Sequence, residues 1–269
     1  HLFEAGPRLG GQFRMACRIP GKEDYADTGD YFEAELAALG VEVSLDTRVE
    51  EIAELAGYDG VAVATGVVPA AVEIPGCELP HVLSYAEALD GRAIDPQSNV
   101  AIIGAGGIGV DVAHLLSHRG GSREDFYTRY GLAGHDRASL PPAARQVTLM
   151  RRGKRAGERI GPSTRWAVLA ELRAAGVTVL TEISYERIEP GVVWIRDAAG
   201  APIAVPADVV VIAAGQRSEQ RLGLALEVAE RPHLVIGGAA RAEELDAERA
   251  FREGLHVPKR IGQLIASRP

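Results

Sequence analysis

The sequence predicts an α/β fold built from two similar units with parallel sheets, and three observations lead to this prediction. Short runs of β-branched residues alternate with amphipathic stretches along the chain. One pattern of helix, strand and terminal glycine occurs twice, and a glycine-rich turn joins one apolar run to an amphipathic stretch. The 269 residues are enough for two ordinary domains, each with its own core.

Six short runs are predicted to be buried parallel strands. Each is continuously apolar, whereas a strand with one wet face alternates between apolar and polar residues. The runs are residues 41–43, 60–64, 99–103, 146–150, 177–180 and 208–212.

The repeat consists of a helix, a strand of the form GVxV and a second strand that ends in glycine. The stretches 30–40 and 165–176 are amphipathic, end in glycine, and lead into "GVEV" and "GVTV". The second strands are "GYDGVAVATG" at 57–66 and "VPADVVVIAAG" at 205–215. Between its two strands the second copy carries residues 184–206, which alternate and turn at 189–191 and 199–200, and these predict a small antiparallel meander.

The glycine-rich turn lies in "NVAIIGAGGIGVDVAHLLSHRG", residues 99–120. Gly104, Gly106 and Gly109 fit the GxGxxG pattern between a strand and a helix, which is typical of dinucleotide-binding turns. Gly104 allows the tight turn, Gly106 lets a diphosphate approach the backbone, and Gly109 lets the helix pack close to the strand. The amides of Gly107 and Ile108, at the start of the helix, then face the diphosphate.

A basic loop follows the next predicted strand, 146–150. In proteins that bind NAD, an acid at this position accepts a hydrogen bond from the free ribose 2′-hydroxyl. The loop reads "RRGKR", and arginines pair with a 2′-phosphate through charge-assisted bonds. Arg151 and Arg152 are therefore candidate contacts that favour NADPH over NADH; the alternative is a solvated basic loop. Residues 120–146 exceed the usual spacing and predict an inserted surface loop.

The other dinucleotide is expected to be FAD, because a hydride from nicotinamide needs an acceptor. Glu4 follows three apolar residues. In dinucleotide-binding folds, an acid at the end of the second strand accepts hydrogen bonds from the ribose hydroxyls, and Glu4 matches that position. No glycine turn precedes Glu4 in this sequence. The remaining candidate contacts are close backbone approaches: Gly10, Gly11, Gln12, Thr65, Gly66, Gly215, Gly238 and Ala239. Residues 233–258 predict a strand, a turn and a helix that closes over the flavin.

The predicted fold class is thus α/β, with two interleaved Rossmann-like dinucleotide-binding domains and the meander. Residues 1–80 and 216–269 form the FAD-type domain, which is discontinuous and N-terminally truncated, and residues 81–215 form the NAD(P)H-binding domain. The chain begins without Met, which suggests an internal or processed piece of a longer protein.

Charge and composition argue against several classes of function. The net charge of −8 argues against nucleic acid as the main partner, and no apolar run is long enough for a membrane helix. Cys17 and Cys77 cannot form a CxxC pair or a zinc or iron–sulfur site, so a cytoplasmic location with two ordinary thiols is expected. His114 and His118 are interpreted as a helical surface pair, no metal site is expected, and no catalytic acid or base is assigned.

Several segments resemble one family of flavoproteins. They are "FEAGPRLGGQF", "IPGKEDY", "VAVATGVVP", "VAIIGAGGIGVDVA", "VIAAGQ" and "ELDAERAFREG", which together span nearly the whole chain. The chain resembles the C-terminal flavin and pyridine-nucleotide region of NADPH-dependent 2,4-dienoyl-CoA reductases, within the old-yellow-enzyme-type group that includes trimethylamine and histamine dehydrogenases.

The resemblance implies a route for electrons. NADPH reduces FAD, and electrons pass through a 4Fe-4S cluster to FMN in an N-terminal barrel domain, where a small-molecule substrate is reduced. The barrel, the cluster cysteines and the first FAD glycine turn have no counterpart in this sequence. Members of the group often carry an acid where this chain has Ala239 and Ala240, so flavin contact there would come from backbone.

Two function hypotheses remain open from the sequence. The chain is either the electron-input module of such an oxidoreductase, or a degenerate NADP(H)-binding subunit that no longer holds FAD. A disulfide reductase is disfavoured because the sequence has no CxxC pair.

Overall fold

The computed structural model describes residues 1–118, 127, 145–158 and 160–266. The predicted inserted loop, 120–146, lies almost entirely outside them. The chain divides into two compact units. Unit 1 comprises His1–Arg14, Asp24–Ala70 and Gly215–Pro269, and unit 2 comprises Met15–Glu23 and Ala71–Ala214.

Strands and helices alternate along the described residues. The strands are β1 (Leu2–Phe3), β2 (Val43–Ser44), β3 (Val61–Val63), β4 (Val67–Pro69), β5 (Val82–Ser84), β6 (Asn99–Ile103), β7 (Gln146–Met150), β8 (Thr178–Leu180), β9 (Ser184–Glu189), β10 (Gly191–Arg196), β11 (Pro202–Ala207), β12 (Val209–Ile212), β13 (Gln216–Ser218) and β14 (His233–Val235). The helices are α1 (Gln12–Ala16), α2 (Tyr25–Ala38), α3 (Tyr85–Leu89), α4 (Gly107–Ser117), α5 (Pro162–Ala174), α6 (Arg221–Val228), α7 (Gly237–Ala240) and α8 (Ala247–Ala266), with a 3₁₀ turn at Ile52–Leu55.

Unit 2 is organised around a five-stranded sheet in the order β5-β12-β6-β7-β8, with every pair parallel. The run 99–103 is buried as predicted, and Val100 and Ile102 are fully buried. These two side chains pack with apolar residues of α3, α4 and α5, whereas Ala101 and Ile103 pack with residues of β9, β10 and β11. The sheet therefore has helices on one face and the meander on the other, which explains why its strands are apolar at successive positions.

The meander is confirmed. Strand β10 pairs antiparallel with both β9 and β11, with an irregularity between Trp194 and Ile195. The connections carry Gly191 at φ +83° and Gly200 at φ +84°, a conformation that favours glycine. The alternating pattern follows from one buried face, on which Val193 and Ile195 are fully buried.

Unit 1 contains three separate pairs of strands. Strands β1 and β2 are parallel, β3 and β14 are parallel, and β4 and β13 are antiparallel. The prediction of continuously buried strands is wrong here: in β3 and its flank Val63 is buried, but Ala62 and Ala64 are exposed, and Val41 and Val43 are only half-buried. The physical reason is that one face of β3 packs on a small cluster in which Val63 meets Leu55 and Leu226, whereas Ala62 and Ala64 lie on the opposite face, which is exposed.

The two predicted helix ends are confirmed, and both starts differ from the prediction. Helix α2 begins at Tyr25 and α5 at Pro162, several residues earlier than the amphipathic pattern indicates. Gly40 at φ +69° and Gly176 at φ +83° follow the helices, so each can adopt the left-handed conformation that ends a helix. Pro162 at the first position of α5 is favourable, because the N–H that proline lacks has no helical partner there.

The C-terminal segment forms the predicted strand, turn and helix as β14, α7 and α8. Helix α8 continues past Pro258, beyond the predicted limit. The second half of α8 packs against Gly60 within unit 1. A Cβ at Gly60 would lie 2.9 Å from Ile261 Cγ1 and 3.1 Å from Ile265 Cδ1. Among the described residues, no helix combines the length and apolarity needed to cross a membrane.

Candidate dinucleotide-binding site

The glycine turn lies where the strand order of unit 2 reverses. From β6 the chain continues to β7 and β8 on one side, whereas β12 lies on the other side of β6. In open parallel sheets, the crevice at the carboxyl ends of such strands is the usual ligand site. Gly104 follows β6 and Ala213 follows β12, and a Cβ at Gly104 would lie 2.4 Å from the Ala213 carbonyl oxygen.

Two glycines of the turn are required by close packing. Gly104 has φ +109°, and its N–H donates to the Met150 carbonyl oxygen at 2.9 Å. A Cβ at Gly109 would lie 1.8 Å from the Gly104 carbonyl oxygen. Strand β6 thus turns sharply, and α4 begins against the turn.

The other two glycines face open space. A Cβ at Gly106 or Gly107 would meet no atom within 4 Å. Helix α4 begins after Gly106, which has no side chain to cap it, and no side-chain hydrogen bond is made at this end. Ile108 packs against the core, which holds the first turn of α4 in place. This arrangement fits a diphosphate, since helix amides attract anions and the bare glycines let the anion approach.

Backbone bonds hold the basic loop beside this turn. The Gly157 N–H donates to the Ala105 carbonyl oxygen at 2.8 Å, within the glycine turn itself. The Arg151 N–H donates to the Leu180 carbonyl oxygen at 2.8 Å. Arg151 also follows β7 directly, so the loop and the turn lie at the same edge of the sheet.

The two arginines of this loop differ in environment. Arg152 is exposed, whereas Arg151 is half-buried and its guanidinium forms an ion pair with Glu158. The guanidinium also lies against Gly153, where a Cβ would come within 2.7 Å of Arg151 Nε. The prediction identified the arginines but missed Glu158, for which the spacing of seven residues gives no recognised signal.

Tyr185 of β9 is a second group that the sequence prediction missed. Burial raises the pKa of Tyr185 to about 12, against the opposing effect of the Gly104 backbone N–H and of the positive charges of Arg152 and Arg151. Its buried hydroxyl oxygen makes no hydrogen bond to the described residues, and the nearby Gly104 N–H donates to the Met150 carbonyl oxygen.

In unit 1 the first predicted group surrounds the end of β1. Glu4 follows β1, and its carboxylate accepts a hydrogen bond from the Gly6 N–H at 2.7 Å. Gly10 has φ +112° and Gly11 has φ +46°, and both are exposed. Gln12 is also exposed and begins the five-residue helix α1.

The second group surrounds the ends of β3 and β14. The Thr65 hydroxyl donates to the Glu219 carbonyl oxygen at 2.6 Å, and Gly66 has φ +74°. Gly238 is tightly packed, since a Cβ there would lie 3.1 Å from the Gly66 carbonyl carbon. Ala239 is fully buried, and the predicted contact at this position, through its backbone, stays a prediction.

Gly215, which joins units 2 and 1 in sequence, has φ +131°, and its carbonyl oxygen accepts a hydrogen bond from the Ala70 N–H at 3.1 Å. Among the described residues, no hydrogen bond joins the group at Glu4 to the group at Thr65.

The two units therefore differ in how well they fit a dinucleotide. Unit 2 has a glycine turn, an open helix start and a basic loop in one place. The described part of unit 1 has a candidate ribose acceptor in Glu4, but its helix α1, which follows the exposed glycines, is only five residues long. The described residues of unit 1 thus supply a candidate ribose contact for a flavin nucleotide, and among them no open helix start like that of α4 accompanies it.

Comparison with known proteins gives the chain a family context. Residues 53–236 match the family model described as pyridine nucleotide-disulphide oxidoreductase. A metal reductase of Desulforamulus reducens is 28% identical over 267 residues, an alignment that covers 94% of this chain and 40% of that protein.

Solved structures give the same fold at low sequence identity. A 2-naphthoyl-CoA reductase complex matches with a TM-score of 0.75 at 22% identity, over 94% of this chain and 34% of that one. Histamine dehydrogenase from Rhizobium sp. 4-9 matches with a TM-score of 0.72 at 18% identity, over 95% of this chain and 39% of that one. The chain therefore spans less than half the length of each of these three proteins.

Proposed function

Because the chain belongs to the pyridine nucleotide-disulphide oxidoreductase family, we propose that it is the electron-input module of a flavoprotein oxidoreductase of the 2,4-dienoyl-CoA reductase type. In this role it oxidises NADPH, FAD accepts the hydride, and electrons continue to an FMN and 4Fe-4S barrel domain of the same parent protein. The final substrate is a small molecule that binds to that domain. The similarity to much longer proteins, two of them named reductases and one a dehydrogenase, supports this proposal.

One observation carries the proposal. The Gly157–Ala105 hydrogen bond keeps the basic loop next to the open start of α4. A diphosphate and a ribose phosphate are close together in NADPH, and the two segments proposed to bind them lie at one edge of the sheet.

The residues of the chain bind and orient the nucleotide. The amides of Gly107 and Ile108 would donate to the diphosphate, and the guanidinium groups of Arg151 and Arg152 would pair with the 2′-phosphate. The nicotinamide, when bound, supplies a hydride to a flavin acceptor. Hydride transfer between two rings depends on their orientation more than on a side-chain acid, and accordingly no catalytic side chain is assigned.

The experiment that tests the nucleotide site is a double charge reversal, Arg151→Glu with Arg152→Glu. Dissociation constants for NADPH and NADH are measured by calorimetry for the purified chain and the variant. We expect NADPH to weaken by at least about tenfold, equivalent to about 1.4 kcal/mol, and NADH to change much less. An equal loss for both nucleotides contradicts the 2′-phosphate role.

A second candidate function follows from the partial flavin fit of unit 1. If this chain holds NADP(H) without FAD, it is a nucleotide-binding subunit and not an electron carrier. Anaerobic addition of NADPH to the chain with added FAD distinguishes the two. Bleaching of protein-bound flavin absorption supports the electron-input module, whereas nucleotide binding with no retained flavin supports the binding subunit.

A further inference from the structure

We propose that Glu158 limits the preference of unit 2 for NADPH over NADH, because its carboxylate competes with the ribose 2′-phosphate for Arg151. This inference rests on the proposed nucleotide site. Residues at the end of the strand usually determine this preference, whereas Glu158 lies eight residues beyond the end of β7.

The geometry of Arg151 leads to this proposal. Its side chain is 24% exposed and is confined on one side by Gly153. Its backbone is fixed at two points, since its N–H donates to Leu180 and its carbonyl oxygen accepts from Ile183. The guanidinium is therefore positioned before any ligand binds, and the group that already pairs with it is the Glu158 carboxylate.

The pair is weak enough to be displaced. The Glu158 side chain is 54% exposed, and an ion pair at such a site typically contributes about 0–1 kcal/mol. A 2′-phosphate carries more charge than a carboxylate and can take its place at the guanidinium, but the carboxylate then remains nearby as a repelling charge.

The same carboxylate affects NADH differently. The free ribose 2′-hydroxyl of NADH is a hydrogen-bond donor, and a carboxylate accepts from it without repulsion. Exposed Arg152, Lys154 and Arg155 favour a phosphate in the same loop. The loop thus combines cations that favour NADPH with one acid that opposes it, and the acid limits discrimination between the two nucleotides.

The test compares Glu158→Gln with a matched control, Glu182→Gln. Glu182 is also exposed and its N–H donates to the Gly153 carbonyl oxygen, so it lies beside the same loop. Among the described residues it forms no ion pair with Arg151, which makes it a control for a nonspecific loss of negative charge. Dissociation constants are measured by calorimetry for NADPH, NADH and adenosine 2′,5′-bisphosphate.

We expect Glu158→Gln to tighten NADPH and the bisphosphate by about three- to tenfold and to leave NADH unchanged or weaker. The control should change each constant by less than about twofold. In an Arg151→Ala background the effect of Glu158→Gln should disappear, because its target is gone.

Each other outcome overturns the inference in a recognisable way. Equal changes for NADPH and NADH, or equal effects of the two glutamine variants, show that Glu158 acts only through net charge. If both nucleotides bind and the double arginine reversal acts as expected, a neutral Glu158→Gln refutes this inference alone. If the unaltered chain binds neither nucleotide, both this inference and the proposed nucleotide site are refuted.

Discussion

Gly109→Ala and Gly106→Ala are expected to separate the stability of the glycine turn from its capacity to bind a nucleotide. Both replacements add a single methyl group within one short turn. The first is expected to destabilise unit 2 strongly, and the second to weaken binding with little effect on stability. The difference follows from what each added Cβ would meet.

The magnitude for Gly109 follows from its distance to backbone. Its Cβ would lie 1.8 Å from the Gly104 carbonyl oxygen, so α4 would have to move away by roughly 1.6 Å to reach ordinary contact. The hydrogen bond from the Gly104 N–H to the Met150 carbonyl oxygen limits how far Gly104 itself can shift. Overpacking of this kind costs about 1–3 kcal/mol, and the movement would also disturb Val110 and Val112, which are fully buried. We expect a loss of about 3 kcal/mol.

The magnitude for Gly106 has a different origin. Its φ of −75° suits alanine, and no atom lies within 4 Å of the added Cβ. The expected loss of stability is below about 1 kcal/mol, the cost of alanine at a helix start. A methyl group between the amides and a diphosphate should nevertheless weaken NADPH by at least about tenfold.

Urea and thermal unfolding followed by circular dichroism measure the free energy of unfolding and Tm. Calorimetric titration measures the dissociation constant of NADPH. For a unit of roughly 150 residues, 3 kcal/mol corresponds to a fall in Tm of about 6–12 °C. The reasoning is refuted if Gly109→Ala is as stable as the unaltered chain, or if Gly106→Ala binds NADPH with full affinity.

Three further predictions concern unit 2. Burial raises the pKa of Tyr185 to about 12, above the value near 10 in the unfolded chain. The folded state therefore holds the hydroxyl proton more tightly than the unfolded state. As the pH rises from 10 to 12, the free energy of unfolding should fall by up to about 2 kcal/mol. Tyr185→Phe should abolish that part of the loss in urea unfolding at each pH, and an unchanged alkaline slope would contradict it. Lys22→Met should cost about 1 kcal/mol, because it leaves Asp111 without the ammonium that it binds at 2.7 and 2.8 Å; a neutral result in urea unfolding would show that the pair contributes nothing. Gly76→Ala should cost about 3 kcal/mol, since Gly76 has φ +90° and its Cβ would lie 2.1 Å from the Ile188 carbonyl oxygen, and a Tm within 2 °C of the original would refute this estimate.

The sequence predicted unit 2 better than unit 1. Residues 100–103 and 209–212 are apolar at successive positions because both faces of the sheet are covered, and this pattern can be recognised in the sequence alone. In unit 1 the same apolar pattern at 60–64 accompanies exposed Ala62 and Ala64. Burial there depends on which elements pack over each face of the strand, and no local pattern encodes that.

The candidate site was predictable where one short segment supplies it. The turn from Gly104 to Gly109 is contiguous, so its spacing alone indicates a diphosphate site. Glu158 and Tyr185 join the site through the path of a loop and the placement of the meander. Their contribution depends on tertiary packing, and neither lies at a spacing associated with nucleotide binding.

The Gly157–Ala105 hydrogen bond has a consequence for how nucleotide fragments bind. It connects the loop proposed to bind the 2′-phosphate to the turn proposed to bind the diphosphate. When one end of a ligand orders its own segment, the hydrogen bond should therefore order the other segment as well. The two ends of the ligand should therefore bind cooperatively: an intact nucleotide should bind more tightly than the combined affinities of its separate halves indicate, because its second end meets a segment that is already in position.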